Sequence, residues 1–126
     1  MRESHVVLLG AVLIFVVASC TSSLTSPSAV AGTLQVRDVR VIVTAPRPAQ
    51  VTLQVDGVLP DACTSVGRVS QAREGGAIIV TIMTDRSGDI CAQVIQNVTV
   101  PVTLNGTFVA GTYTVRVNGV ERTVTV

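Results

Sequence analysis

The sequence predicts an all-β fold, a single β-sandwich of about seven strands. Three observations point there. Apolar residues recur with period 2 in several separate runs, the runs are rich in Val and Thr, and turn signals built from Gly, Asn, Asp or Pro separate them. No stretch combines helical periodicity with capping residues.

The elements follow in chain order. Val39, Val41 and Val43 alternate with Arg40 and Ile42, and Ala45-Pro46-Arg47-Pro48 ends the run. Val51, Leu53 and Val55 alternate with Thr52, Gln54 and Asp56, and Asp56-Gly57 signals a turn. Thr64 to Ala72, TSVGRVSQA, is a further strand, closed by Glu74-Gly75-Gly76. Ile78, Val80 and Ile82 alternate with Ile79, Thr81 and Met83, up to the turn Asp85-Arg86-Ser87-Gly88-Asp89. Val98, Val100 and Val102 alternate with Thr99, Pro101 and Thr103 before Asn105-Gly106. Pro101 has no N–H to give a ladder, so its strand belongs at an edge or carries a bulge. Tyr113, Val115 and Val117 alternate with Thr114 and Arg116, and VRVNGVERTV reads as a hairpin closed by a type I′ turn at Asn118-Gly119. Val120, Arg122 and Val124 continue it less cleanly. Strands this short and evenly spaced favour a sandwich of the immunoglobulin or fibronectin-III kind. Beyond residue 20 the aromatics are Phe108 and Tyr113 alone, so the core is aliphatic and both rings are expected inside it.

The N-terminus has a different character. Val6 to Ala18 is an uncharged run of 13 residues, which suits the apolar stretch of a signal peptide and falls short of the ~20 needed to span a bilayer. Val17-Ala18-Ser19-Cys20 then resembles the lipobox of bacterial lipoproteins: an aliphatic residue, two small residues and a cysteine. The resemblance implies cleavage before Cys20, diacylglycerol on its sulfur, and acyl chains that hold the new N-terminus in a bacterial membrane, on the extracytoplasmic side. An uncleaved short anchor and ordinary secretion are the alternatives. Thr21 to Thr33, TSSLTSPSAVAGT, is rich in Ser and Thr and reads as a flexible tether averaging roughly 20 Å end to end. The expected organisation is a signal peptide over residues 1–19, the lipidated cysteine and tether over 20–33, and the sandwich over 34–126.

Of the three cysteines, lipidation of Cys20 leaves Cys63 and Cys91 as a pair, which oxidises outside the cytoplasm. The bond would close a 29-residue loop and, in the chain-entropy account, stabilise by roughly 3–4 kcal/mol. GVLPDACTSVGRVSQAREGGAIIVTIMTDRSGDICAQV and the later AGTYTVRVNGV resemble an uncharacterised extracellular β-sandwich domain of bacteria. Its pattern is G-x-L-P-x-x-C, then C-x-Q, then G-x-Y-T-V-x-V-N-G, and the similarity covers Val39 to Val126. The resemblance implies the same fold and cysteine pair. It brings no established activity and no functional residue.

Several chemistries are disfavoured. The one histidine, His5, lies in the signal peptide, so the remainder lacks the base of a Ser-His-Asp or Cys-His nucleophile and has no imidazole for a metal. No C-x-x-C and no phosphate-cradling glycine loop occurs. Asp56 with Asp61, or Asp85 with Asp89, could pair as carboxylates, but all four read as turn residues. Asp85, Ser87 and Asp89 supply too few acidic ligands for calcium. The net charge is +1, every basic residue is Arg, and no basic patch forms, so nucleic acid is not an expected partner. With no Trp and one Tyr, an aromatic sugar-binding platform is missing.

The most distinctive stretch is GVLPDACTSVG. Leu59, Pro60, Asp61, Ala62, Thr64 and Ser65, pinned by Cys63, could form a rigid interaction loop for another protein, or simply cross from strand to strand. The expectation is a non-catalytic, membrane-anchored binding or structural module with no cofactor, acting on a protein partner. The alternative is an inhibitor of an extracytoplasmic hydrolase acting through Leu59–Ser65.

Overall fold

The computed structural model describes residues 30–44 and 48–126. The expected signal peptide, Cys20 and the first part of the expected tether lie outside the described residues, as do Ala45, Pro46 and Arg47 of the first expected turn.

Among the described residues, eight strands form two sheets and there is no helix. They are β1 (Val30–Thr33), β2 (Gln35–Thr44), β3 (Gln50–Leu59), β4 (Thr64–Glu74), β5 (Ala77–Arg86), β6 (Gln96–Thr103), β7 (Thr112–Val117) and β8 (Val120–Thr125). The smaller sheet has the order β2-β3-β6. In the larger one, β4 pairs along one side of β5, while β7 and β1 share its other side, and β8 pairs with β7. The expected β-sandwich is therefore present, with eight strands. Every pairing is antiparallel except β5 with β7, which is parallel over Ala77–Val80. That pair departs from an immunoglobulin sandwich built of antiparallel sheets.

Period 2 sets the core. Val51, Leu53 and Val55 of β3 face Ile78, Val80 and Ile82 of β5 and Val115 and Val117 of β7, all buried. Phe108 and Tyr113 join them, packed edge to face at 5.2 Å between ring centres. The Tyr113 hydroxyl donates to the Val109 carbonyl at 2.9 Å, which makes a tyrosine corner. The Arg73 guanidinium lies 4.7 Å from the Phe108 ring centre and donates to the Thr107 carbonyl, capping the aromatic pair from β4.

Polar side chains clasp the two open flanks of the sandwich. On one, Gln71 of β4 donates to the Thr103 carbonyl and accepts from the Asn105 N–H, both at 2.9 Å. On the other, Arg122 of β8 meets Asp38 of β2 at 2.8 Å. Among the described residues, no buried side-chain nitrogen or oxygen lacks a partner. Pro101 lies on β6, an edge strand, opposite Gln54, as its missing N–H requires.

The structure departs from several expectations; Asp85 and Arg86, expected in a turn, end β5. The last four tether residues, Val30–Thr33, form β1 against β5, so the folded domain starts before Leu34. Asp56-Gly57 is no turn; β3 runs straight through it. A Cβ on Gly57 would come within 2.8 Å of the Leu34 side chain and 3.0 Å of the Gln35 carbonyl oxygen. The glycine answers a close approach of the chain entering β2, beside the bulge between Val36 and Asp38.

Candidate functional site

Antiparallel pairing brings the end of β3, the start of β4, the end of β5 and the start of β6 to one end of the sandwich. Two connections meet there: residues 60–63 between β3 and β4, and residues 87–95 between β5 and β6. The Cys63–Cys91 disulfide joins them, with a Cα–Cα distance of 5.5 Å. The Ala62 N–H also donates to the Ala92 carbonyl at 3.0 Å, and the Ser87 N–H to the Cys63 carbonyl at 3.1 Å.

Asp61 sits at the centre of this brace and is only 6% exposed. Its Oδ1 accepts from the Cys63 N–H at 3.0 Å and the Thr64 hydroxyl at 2.8 Å, the local side-chain turn that Asp favours. Its Oδ2 takes the Arg86 Nε at 3.1 Å, and its backbone carbonyl takes the Gln96 amide at 3.0 Å. One residue thus ties together β3, β4, β5 and β6. The Thr64 hydroxyl, and then Arg86 and the Cys63 N–H, outweigh desolvation and hold the Asp61 carboxyl below its ordinary value.

The proposed interaction loop divides in two. Leu59 is a core residue, and Asp61 and Thr64 are buried. Pro60, Ala62 and Ser65 are exposed. Large apolar side chains on the surface at this end come instead from the second connection, as Ile90, Val94 and Ile95, and from Val30 of β1. A shallow groove also opens here, with Val30, Gly32, Gln35, Pro60, Thr64 and Arg86 on its walls.

The carboxylates expected in turns are distributed differently. Asp56 lies within β3, accepts from the Thr99 hydroxyl at 2.6 Å and pairs with Arg40 at 3.3 Å. Asp85 lies within β5, opposite Ser65 of β4 and Ala31 of β1. Asp61 and Asp89 are in the two connections. Asp61, Cys63 and Cys91 place a carboxylate oxygen and two sulfurs within 4.8 Å of one another. The sulfurs are spent on each other and the carboxylate on three donors, so the trio is a structural brace. Cys20, the expected lipidation site, lies outside the described residues.

Sequence reasoning missed Arg86 and Gln96 as partners of Asp61, and missed Ile90, Val94 and Ile95. The latter carry a weak signal: in ICAQVIQ the strict alternation of the flanking strands breaks down while apolar residues persist.

The chain resembles small proteins of one bacterium. An uncharacterised 10.2 kDa protein in the HgiCIIM 5′ region of Herpetosiphon aurantiacus is 30% identical over 88 residues, covering 69% of this chain and 94% of that one. Another from the same organism, in the HgiBIM 5′ region, is 32% identical over 74 residues, 58% of this chain and 90% of that one. No solved structure matches. The sequence model of the ORF11 beta-sandwich domain matches residues 53–126, from the middle of β3 through the disulfide-braced end to β8, and the chain belongs to that family.

Proposed function

We propose that this chain is an extracytoplasmic lipoprotein, anchored to a bacterial membrane through Cys20, whose sandwich serves as a non-catalytic binding or structural module. The observation that carries the reading is the placement of Val17-Ala18-Ser19-Cys20 at the end of an uncharged apolar run near the N-terminus. The Cys63–Cys91 bond supports it, because disulfides persist outside the reducing cytoplasm. The polar groups at the braced end are committed to one another, which favours a rigid display platform over a reactive centre. The inhibitor alternative has less support. Leu59, Asp61 and Thr64 are built into the scaffold and the Ser65 hydroxyl donates to the Asp85 carbonyl, which leaves the exposed Pro60 and Ala62 of that loop to meet a hydrolase.

The test is fractionation of bacterial cells producing the full chain or Cys20→Ala. The reading expects the parent protein in the membrane fraction and the variant released from it. Equal distribution of the two would sink the anchor. A panel of extracytoplasmic hydrolases left uninhibited by the intact protein would dispose of the alternative for that panel.

A further inference from the structure

We infer that the residue 87–95 connection is a second membrane contact, inserting Ile90, Val94 and Ile95 into the surface of the same bilayer that holds the lipid on Cys20. The inference rests on the anchored reading above.

The chain enters the domain at its braced end. β1 runs antiparallel to β5, with Val30 opposite Arg86, the last residue of β5. The chain leading back to Cys20 therefore joins the sandwich at the braced end, where β5 passes into the second connection. Ten residues from Cys20 to Val30 reach at most about 36 Å, so the acylated cysteine keeps this end within that distance of its bilayer. The opposite end stands farther along strands of ten residues, about 33 Å in length. The nine residues 21–29 carry no charge that would hold the domain off a lipid surface.

Side-chain chemistry favours the same contact. Ile90 is 97% exposed, Ile95 66% and Val94 56%, and Val30 beside Arg86 is 68% exposed. Such residues gain nothing from water, and the disulfide and the Ala62–Ala92 hydrogen bond keep the connection from folding inward over them. The one buried charge at this end, Asp61, is neutralised by Arg86. Without a basic cluster, apolar insertion is the attraction, and anionic lipid is not required.

The chain contains no tryptophan, so a single one reports on its own surroundings. Ile90→Trp and Ile95→Trp are placed at the braced end. Val109→Trp, 73% exposed between β6 and β7 at the far end, is the reference. Each full chain is purified in acylated form, checked by intact mass, and reconstituted into phosphatidylcholine vesicles with brominated acyl chains. The expected result is blue-shifted emission from Ile90→Trp and Ile95→Trp, quenched by bromine at least about twofold more than Val109→Trp. Equal quenching in acylated protein would overturn the contact and leave the anchor standing. A blue shift that bromine leaves unquenched would overturn it in favour of a protein or self-association surface. A mass without acyl chains would overturn the anchor and the contact together.

Discussion

The side chain of Asn118 takes the place of a strand residue beside Ile82. Its Oδ1 accepts from the Ile82 N–H at 2.9 Å, and its Nδ2 donates to the Ile82 carbonyl at 2.9 Å and the Leu34 carbonyl at 2.8 Å. β7 leaves the side of β5 at Val80, and β1 joins it at Met83. The amide fills the gap between them. The same residue holds φ at 45°, as the first central position of a type I′ turn requires. Asn118→Gly keeps the turn and removes the amide, so it is expected to cost about 1–3 kcal/mol in urea unfolding. An unchanged midpoint would show that the amide does not stabilise the ladder.

Gly57 answers the approach of Leu34 and Gln35 rather than a turn. Gly57→Ala is therefore expected to destabilise by about 1–3 kcal/mol, although its backbone lies in an ordinary strand. If urea unfolding found the variant as stable as the parent, the packing of Leu34 over β3 would be looser than described.

The disulfide spans 28 residues of sequence. Cys63→Ser with Cys91→Ser should lower stability by roughly 3–4 kcal/mol while the strand signature in circular dichroism persists, because the core does not include the bond. Loss of the strand signature in the double variant would mean that the brace is needed to form the sandwich.

Asp61 and Asp38 both have carboxyls held below the ordinary value of 3.8, the first chiefly by the Thr64 hydroxyl and the second chiefly by Arg122. A depressed carboxyl stabilises the fold above the unfolded value, and the contribution is lost as pH falls through the folded one. Stability is thus expected to be insensitive to these groups near neutrality and to fall below about pH 4. Asp61→Asn faces the Arg86 donor with an amide that can turn away only by giving up another partner. It should be less stable near neutrality and show a shallower decline in acid. A parallel decline for parent and variant would remove Asp61 from the acid response.

Much of the fold was legible because one physical rule, period-2 alternation, marks six of its strands. Val51-Leu53-Val55 and Ile78-Val80-Ile82 alternate since each strand buries one face. β1 escaped because four residues, VAGT, are too few to show a period and continue a Ser/Thr-rich stretch. The parallel β5–β7 pair escaped because partner choice is a tertiary property that alternation does not encode. At the braced end, the cysteine pair was readable because setting Cys20 aside leaves two cysteines. The burial of Asp61 was not, since Leu-Pro-Asp-Ala reads equally as an exposed turn until Arg86 and Gln96 arrive from distant strands.

The anchored reading meets its most direct test in the intact mass of protein taken from the membrane fraction and alkylated without reduction. Lipidation at Cys20 and the Cys63–Cys91 bond together give a mass of Cys20 to Val126 plus acyl chains, with no alkyl adduct. An unprocessed chain, or one carrying alkylated thiols in place of acyl groups, would contradict the anchored reading.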